Sequence, residues 1–218
     1  LSGLVGSEMC IRDSLNGPVS KNNFLKKKYF GITEYIADKA YSKNEVMLIY
    51  NKKFSVSPIT THIPIKHVAK NITQRKIINN VLKIDNFYKK ILKTKAKIAI
   101  LGLNPHCEST DKLSEEKKII NPSIKILKNK KINVHGPFSA DTFFLDKNLK
   151  NFDVAVGMYH DQVLSPLKTI FKFNAINITL GLPFIRVSPD HGPNFEMIGK
   201  NKSDPSSMFC AMDFFKKI

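Results

Sequence analysis

Three of the six histidines directly follow short apolar runs that are typical of buried strands, and this makes them candidates for chemistry. They are His62, His106 and His160, in the segments TTHIP, NPHCE and MYHDQ. Strand ends can converge at one edge of a sheet, and three imidazoles with an open position suit a catalytic divalent metal ion. The alternative for each histidine is a hydrogen-bonded structural role or a surface role, because no short H-E-x-x-H motif is present.

Four further polar residues stand in or near apolar segments. Arg186 interrupts an apolar run, where an unpaired buried guanidinium is costly and its planar fork suits phosphate or carboxylate. Asp141 either caps a helix or acts as a polar site residue. Taken alone, Lys168 is equally well explained as a solvated lysine and Asn177 as a turn-forming asparagine.

The segments that must position these residues alternate between strand and helix patterns. The predicted strands are Val46–Tyr50, Val56–Thr61, Ile98–Leu103, Val154–Met158, Ile176–Leu180 and Phe184–Val187. The predicted helices are Glu34–Ala40, a long amphipathic segment from Ile65 to Leu92, and Ser114–Asn129, which Pro122 breaks or restarts. Gly136-Pro137 predicts a turn. This alternation predicts an α/β fold, layered α/β/α, with a mixed and largely parallel sheet.

Length and cysteine content narrow the class of protein. The chain has 218 residues, of which 42% are hydrophobic, enough for one large domain or one domain with part of another. Cys10, Cys107 and Cys210 are far apart and form no C-x-x-C pair. A disulfide framework and a cysteine zinc site are therefore not expected, and the reducing cytoplasm is the simplest compartment.

The formal net charge of +17 admits two interpretations. A basic protein can bind nucleic acid through phosphate contacts. The alternative is compositional, because lysine, asparagine and isoleucine recur along the whole chain and the lysines form no single stripe with aromatic residues. We favour the compositional explanation and do not expect a nucleic-acid partner.

The series of motifs resembles one enzyme family. In order, the chain contains TTHIP, GLNPH, GP-x-x-ADT-x-F, MYHDQ and NITLGLPFIR-x-S-x-DHG. This series is similar to the 4-hydroxythreonine-4-phosphate dehydrogenases of vitamin B6 synthesis. The resemblance runs from about Gly17 to the carboxyl end, and 153–192 is its most specific part.

The resemblance implies roles for individual residues. It implies that His62, His106 and His160 bind one divalent ion (zinc, magnesium or cobalt), and that NAD or NADP is the cofactor. It implies substrate contacts from Thr33, Lys168, Asn177 and Arg186. We also expect catalytic roles for Asp141 and Lys168. The cofactor is implied by resemblance alone, since no G-x-G-x-x-G fingerprint follows a strand.

One position departs from the family pattern. The family carries a Gly-His-Thr-Glu segment, whereas this chain reads Gly31-Ile32-Thr33-Glu34. Isoleucine can neither donate a hydrogen bond to an anionic substrate nor shuttle a proton. Ile32 therefore bears on the identity of the substrate more than on the class of reaction.

The implied reaction oxidises 4-phosphohydroxy-L-threonine to 2-amino-3-oxo-4-phosphohydroxybutyrate, which then decarboxylates to 3-amino-2-oxopropyl phosphate. The resemblance also implies a two-domain enzyme with its active site in a cleft, and a homodimer with that site at the subunit interface. Residues 1–14 lack the bias of the rest, so we expect a sequence artefact there. Residues 15–218 are expected to be the carboxy-terminal portion of the dehydrogenase, comprising the metal and substrate-binding domain and a remnant of the first domain.

Three other interpretations stay open. The chain could be a related metal-dependent dehydrogenase of another phosphorylated or acidic hydroxy acid, for which Ile32 is the motive. It could be an inactive fragment, because a truncated α/β domain leaves sheet edges unpaired. It could also be a basic nucleic-acid-binding protein, which a steep salt dependence of binding would reveal.

Overall fold

The chain is represented by a computed structural model that describes residues 13–17, 29, 31–107, 114–192, 195–216 and 218. The strands in these residues are β1 Asp13–Leu15, β2 Val46–Tyr50, β3 Ser55–Thr60, β4 Ile98–Leu101, β5 Val134–Phe138, β6 Val154–Tyr159, β7 Ile176–Leu180 and β8 Ile185–Pro189. All six predicted strands are therefore confirmed, with boundaries that differ by at most two residues.

These strands form one sheet in the order β1-β8-β7-β2-β3-β6-β4-β5. Strands β3, β6, β4 and β5 run parallel to one another. Strand β2 is antiparallel to both of its neighbours, β8 is antiparallel to β7, and β1 is parallel to β8. The predicted α/β fold with a mixed, largely parallel sheet is confirmed.

Helices cover both faces of this sheet. They are α1 Ile32–Lys39, α2 Val68–Asn71, α3 Gln74–Lys90, α4 Asn121–Asn129, α5 Ala140–Phe143, α6 Asp146–Asn151, α7 His160–Phe171 and α8 Ser206–Phe215. Side chains of β6 alternate between two cores, because Val154 and Val156 belong to one cluster and Ala155 to the other. Helices α3 and α4 pack in the first core and α7 in the second, which confirms the layered α/β/α arrangement.

The structure divides the long amphipathic segment 65–92 into separate helices, although its apolar pattern is continuous in the sequence. A 3₁₀ turn and α2 come first, Ile72 leaves the helical conformation, and Thr73 then caps α3 by accepting a hydrogen bond from the Lys76 amide at 3.3 Å. Pro122 restarts the next helix as expected: it lies in the first turn of α4, after a π-helical turn at Glu116–Ile120.

The turn predicted at Gly136-Pro137 is wrong, because both residues lie inside strand β5. Strand β5 stands last in the described sheet order, where the missing amide hydrogen of Pro137 is tolerated. Gly136 has φ of 130°, and a Cβ there would collide with the carbonyl oxygen of Ile100 on β4. Glycine thus serves close strand packing here, not a chain reversal.

Two residues of the segment 1–14 take part in the sheet. Asp13 and Ser14 belong to β1 and pair with Ile185 and Arg186 of β8, whereas residues 1–12 lie outside the described part of the chain. The division of the chain at residue 14, the remnant of a first domain and the two-domain organisation stay predictions. None of the helices in the described residues is long and apolar enough to cross a membrane.

Candidate active site

The three histidines predicted as metal ligands follow neighbouring parallel strands. His62 comes two residues after β3, His106 five residues after β4, and His160 directly after β6, as the first residue of α7. Because these strands are adjacent and parallel, all three histidines emerge at the same edge of the sheet. This is the edge at which open α/β sheets bind ligands.

His62 and His160 lie close together at this edge. Their ring centroids are 6.0 Å apart, and both rings line a small cavity of about 210 Å³. A carboxylate contacts the Nδ1 atom of each ring: Glu34 Oε1 lies 3.2 Å from that of His62, and Asp161 Oδ1 lies 2.7 Å from that of His160. Asp161 is thereby placed to orient the ring of His160.

His106 stands apart from this pair. It lies in the turn Pro105–Cys107 with φ of 57°, its side chain is 74% exposed, and its Nδ1 atom is 3.7 Å from Asp141 Oδ2. In the described residues, no group of three or more histidine, cysteine, aspartate or glutamate side chains is arranged to hold a metal ion. The site made of three histidines therefore stays a prediction.

The chemistry of the three imidazoles nevertheless fits a divalent ion. At His62 and His160 a carboxylate within hydrogen-bond distance of Nδ1 favours the tautomer with Nε2 available as a ligand atom, and at His106 the Asp141 carboxylate lies 3.7 Å from Nδ1. Carboxylate–histidine pairs of this kind are usual around protein-bound metals because they orient the ring and make its free nitrogen a stronger ligand. These residues are thus suited to hold the metal that the resemblance implies.

Among the described charged side chains, Arg186 is the most deeply buried. It is fully buried on β8, and its guanidinium donates to Asn16 Oδ1 at 2.8 Å, Thr33 Oγ1 at 3.0 Å and Thr179 Oγ1 at 2.8 Å. These three acceptors are neutral, and Nη2 has no hydrogen-bond partner within the described residues. An anion that reached Nη2 would complete the hydrogen bonding of a buried cation.

Burial lowers the pKa of Arg186 to about 10, and the nearby Glu34 carboxylate opposes that shift. The guanidinium is therefore still charged at neutral pH. Because the cation is held away from water, its attraction for an anionic group is stronger than at an exposed site.

Two other predicted substrate contacts lie around this arginine. Thr33, which is buried in the first turn of α1, accepts a hydrogen bond from Arg186 Nη1 through its hydroxyl oxygen. Asn177 lies two residues before Thr179 on β7, so both side chains are on the same face of the sheet. The buried Oδ1 of Asn177 has no hydrogen-bond partner in the described chain. The structure thus brings Thr33, Asn177 and Arg186 to one region.

Lys168 is held by the end of strand β8. Its Nζ atom donates to the carbonyl oxygen of Asp190 at 2.6 Å and lies 3.4 Å from Asp190 Oδ2. Burial raises the pKa of Asp190 above its ordinary value, and the charge of Lys168 offsets only part of this shift. Lys168 is therefore an oriented side chain and not a freely solvated one.

Asp141 is exposed in the first turn of α5 and is close to His106. Ser139 Oγ donates to its Oδ1 atom at 2.6 Å, and this hydrogen bond lowers the pKa of Asp141. Within the described residues, Asp141 thus interacts with Ser139, Thr142 and His106 rather than with the residues around Arg186. A catalytic role for Asp141 stays a prediction.

Sequence reasoning missed three residues that the structure places at the site: Asn16, Glu34 and Asp190. Glu34 directly follows the matched Thr33, and Asp190 precedes His191 in the Asp-His-Gly turn, so each stood inside a quoted motif. Asn16 gave no signal, because its partner Arg186 is 170 positions away.

These features define an α/β protein with a polar site at the carboxyl edge of its parallel strands, equipped to receive a small anionic ligand. The family model for the pyridoxal phosphate biosynthetic protein PdxA matches residues 9–215. The chain belongs to the PdxA family.

Individual relatives agree with this membership. A 4-hydroxythreonine-4-phosphate dehydrogenase from Sulfurihydrogenibium sp. (strain YO3AOP1) is 46% identical over 200 residues, which are 90% of this chain and 62% of the relative. A D-threonate 4-phosphate dehydrogenase from Pectobacterium atrosepticum is 36% identical over 181 residues, or 83% of this chain and 56% of the relative.

Solved structures show the same fold. The crystal structure of 4-hydroxythreonine-4-phosphate dehydrogenase from Klebsiella pneumoniae superposes with a TM-score of 0.79 at 31% identity, covering 93% of this chain and 64% of that one. The chain thus spans somewhat less than two thirds of the length of these relatives.

Proposed function

We propose that this chain carries the metal and substrate-binding part of a dehydrogenase that oxidises 4-phosphohydroxy-L-threonine with NAD or NADP in pyridoxal phosphate synthesis. The product, 2-amino-3-oxo-4-phosphohydroxybutyrate, is a β-keto acid that loses carbon dioxide to give 3-amino-2-oxopropyl phosphate. The observation that carries this proposal is the buried Arg186 of the family motif PFIR, whose Nη2 atom has no hydrogen-bond partner among the residues that the structure describes. The names of the relatives support the same reaction.

Charged and polar side chains would bind the two anionic ends of this substrate. Arg186 can donate from Nη2 to a phosphate or carboxylate, and Asn177 Oδ1 can accept a hydrogen bond from the substrate amino or hydroxyl group. Thr33 holds the guanidinium in place. Lys168, oriented by Asp190, supplies a second cation for the other anionic group.

His62, His106 and His160 would hold the metal ion through their Nε2 atoms. Once bound, a divalent ion supplies a Lewis acid for the substrate hydroxyl, and the nicotinamide accepts the hydride. The carboxylates of Glu34 and Asp161 keep the rings of His62 and His160 in the tautomer that leaves Nε2 free. Zinc, magnesium and cobalt are the candidate ions, of which zinc and cobalt suit imidazole ligands best.

We also propose a homodimer in the cytoplasm, with the site at the subunit interface. A second copy would bring further donors to the exposed edge, where one chain gathers His62 and His160 but not His106. The measurement is sedimentation of the purified protein with and without zinc, and a monomer under both conditions would contradict the proposal.

A second candidate substrate is another phosphorylated hydroxy acid, and Ile32 is the observation that favours it. The Pectobacterium relative is a D-threonate 4-phosphate dehydrogenase, so the relatives include enzymes named for different substrates. Assaying both phosphorylated acids with the same preparation would separate the two candidates.

The reaction is tested by the formation of NADH or NADPH from 4-phosphohydroxy-L-threonine with added divalent metal, using a protein of the full length of the relatives that contains this chain. We expect metal-dependent turnover that disappears in His160→Ala and persists in His67→Ala, since His67 is exposed and outside the described cavity. A folded, metal-loaded protein without turnover on either phosphorylated acid would contradict the proposal.

A further inference from the structure

The ends of strands β3, β6 and β4 are joined by side-chain hydrogen bonds as well as by the sheet itself. Thr60, the last residue of β3, donates its hydroxyl to the carbonyl oxygen of Met158 on β6 at 2.8 Å. Thr60 is buried, so this bond is protected from water. It fixes the end of the strand that precedes His62 to the strand that precedes His160.

The side chain of Gln162 replaces the next backbone hydrogen bonds between β6 and β4. The parallel register pairs Ile98 with Val154 and Ile100 with Val156, which would place Gly102 opposite Met158. Instead, Gln162 Oε1 accepts from the Met158 amide at 2.6 Å, and its Nε2 donates to the Gly102 carbonyl at 2.7 Å. The side-chain amide therefore bridges the two strands and supplies hydrogen-bond partners to their backbone groups where direct pairing ends.

A buried carboxylate fixes the loop that continues from Gly102. Glu116 is 2% exposed, and its Oε1 atom accepts from the amides of Leu103 and Asn104 at 2.8 Å each. Its Oε2 atom accepts from Asn104 Nδ2 at 2.7 Å. Glu116 begins a π-helical turn, a feature that is frequent at functional sites.

Each of these contacts involves a residue that lies two positions before one of the three histidines. Thr60 lies two residues before His62, Met158 two before His160, and Asn104 two before His106. We propose that Thr60, Gln162 and Glu116 form a strand-end brace whose task is to position the three histidines for metal binding. This inference rests on the proposed metal site.

The exposure of the three histidine rings explains why the site needs positioning residues. His62 and His160 are partly exposed and His106 is mostly exposed, so packing alone holds these rings weakly. A metal site loses affinity when its ligands must be ordered on binding, because the ordering costs conformational entropy. Hydrogen bonds from the buried Thr60 and Glu116 and the half-buried Gln162 reduce that cost by fixing the main chain beside each ligand.

The test is the affinity for Co²⁺, followed by visible absorption of the bound ion and requiring no turnover. Gln162→Met keeps the length of the side chain but removes both hydrogen bonds, and Thr60→Val removes one hydroxyl. We expect each variant to bind Co²⁺ roughly 10-fold more weakly, the lower end of the effect of residues that support metal ligands. Thr60→Ser keeps the hydroxyl and should retain the wild-type affinity.

The matched control is Gln74→Met, because Gln74 also donates to a main-chain carbonyl, that of Lys118, but does so on an exposed surface. It should leave Co²⁺ affinity unchanged. If Gln162→Met does not fold, the Thr60 pair decides the question.

Two outcomes would overturn the inference in different ways. If His160→Ala abolishes Co²⁺ binding while Gln162→Met and Thr60→Val bind like the wild type, the metal site stands and the brace is refuted. If His160→Ala itself binds Co²⁺ like the wild type, the proposed metal site fails, and the role of the brace fails with it.

Discussion

Arg186 and Thr33 are joined by a 3.0 Å hydrogen bond from Nη1 to Oγ1, although they are 153 positions apart in the chain. This bond connects the first turn of α1 to strand β8 and turns the guanidinium so that Nη2 is left without a partner in the described residues. The group that we propose for substrate binding is thereby fixed before a substrate arrives, and such preorganisation reduces the cost of binding.

Replacing Arg186 by lysine should weaken substrate binding while keeping the positive charge. A lysine ammonium cannot reproduce the planar fork that contacts Asn16 and Thr179 while leaving one nitrogen for an anion. Hydrogen bonds to charged groups contribute about 1.5–3 kcal/mol, so KM should rise roughly 10- to 150-fold. Steady-state kinetics measure this, with the exposed Arg75→Lys as control. An unchanged KM would show that Arg186 does not contribute to substrate binding.

Replacing Ile32 by histidine tests the departure from the family pattern. Ile32 begins α1 next to Thr33, so a histidine there could donate a hydrogen bond to an anionic substrate group. One such bond contributes about 1 kcal/mol, which corresponds to a roughly 5-fold lower KM for 4-phosphohydroxy-L-threonine. Ile36→His, one turn further along the same helix, is the control. A KM that rises in Ile32→His would show that the native substrate requires an apolar contact there.

The sequence predicted the elements whose residues interact locally or repeat with a period. The apolar runs of the six central strands are visible in the chain because strands that are covered by helices on both faces of the sheet need apolar residues on both faces. The positions of His62, His106 and His160 at strand ends were predicted from the same apolar runs. Strand β1 and helix α8 were not predicted: β1 has three residues, and α8 carries exposed Phe209 and Met212 that obscure its period.

The candidate site was only partly predictable for a different reason. Motif resemblance identified Arg186, but its acceptor Asn16 is distant in sequence and was found only from the fold. The separation of His106 from the other two histidines also depends on the conformation of one turn, with φ of 57°. Such backbone detail leaves no periodic signal in the amino-acid sequence.

Glu116 should make stability depend on pH in the acid range. Burial by itself would raise the pKa of Glu116, but the hydrogen bonds from Asn104 and Leu103 outweigh it and hold the pKa below its ordinary value. A lowered pKa in the folded state means stability that is present above pH 4.5 and is lost as the pH falls through the folded-state pKa.

Glu116→Gln should therefore unfold more easily than the wild type at pH 7, and the difference should shrink as the pH falls below 4.5. The measurement is urea unfolding at a series of pH values. Asp146→Asn, in the first turn of α6, is a control at an acidic residue outside the brace. A difference between wild type and Glu116→Gln that stays constant with pH would show that folding does not lower the pKa of Glu116.

Gly136→Ala should be among the most destabilising single substitutions in the sheet. Gly136 has φ of 130°, which side chains rarely adopt, and the added Cβ would meet the carbonyl oxygen of Ile100 on the neighbouring strand β4. Unfavourable backbone geometry costs about 1–3 kcal/mol, and the collision adds to it, so we expect a loss of about 3 kcal/mol or more in the free energy of unfolding. Gly192→Ala is the matched control, because a Cβ there has no described atom within 4 Å. Equal stability of the two variants in urea unfolding would show that β4 and β5 separate at little cost, and that Gly136 is not required for their close approach.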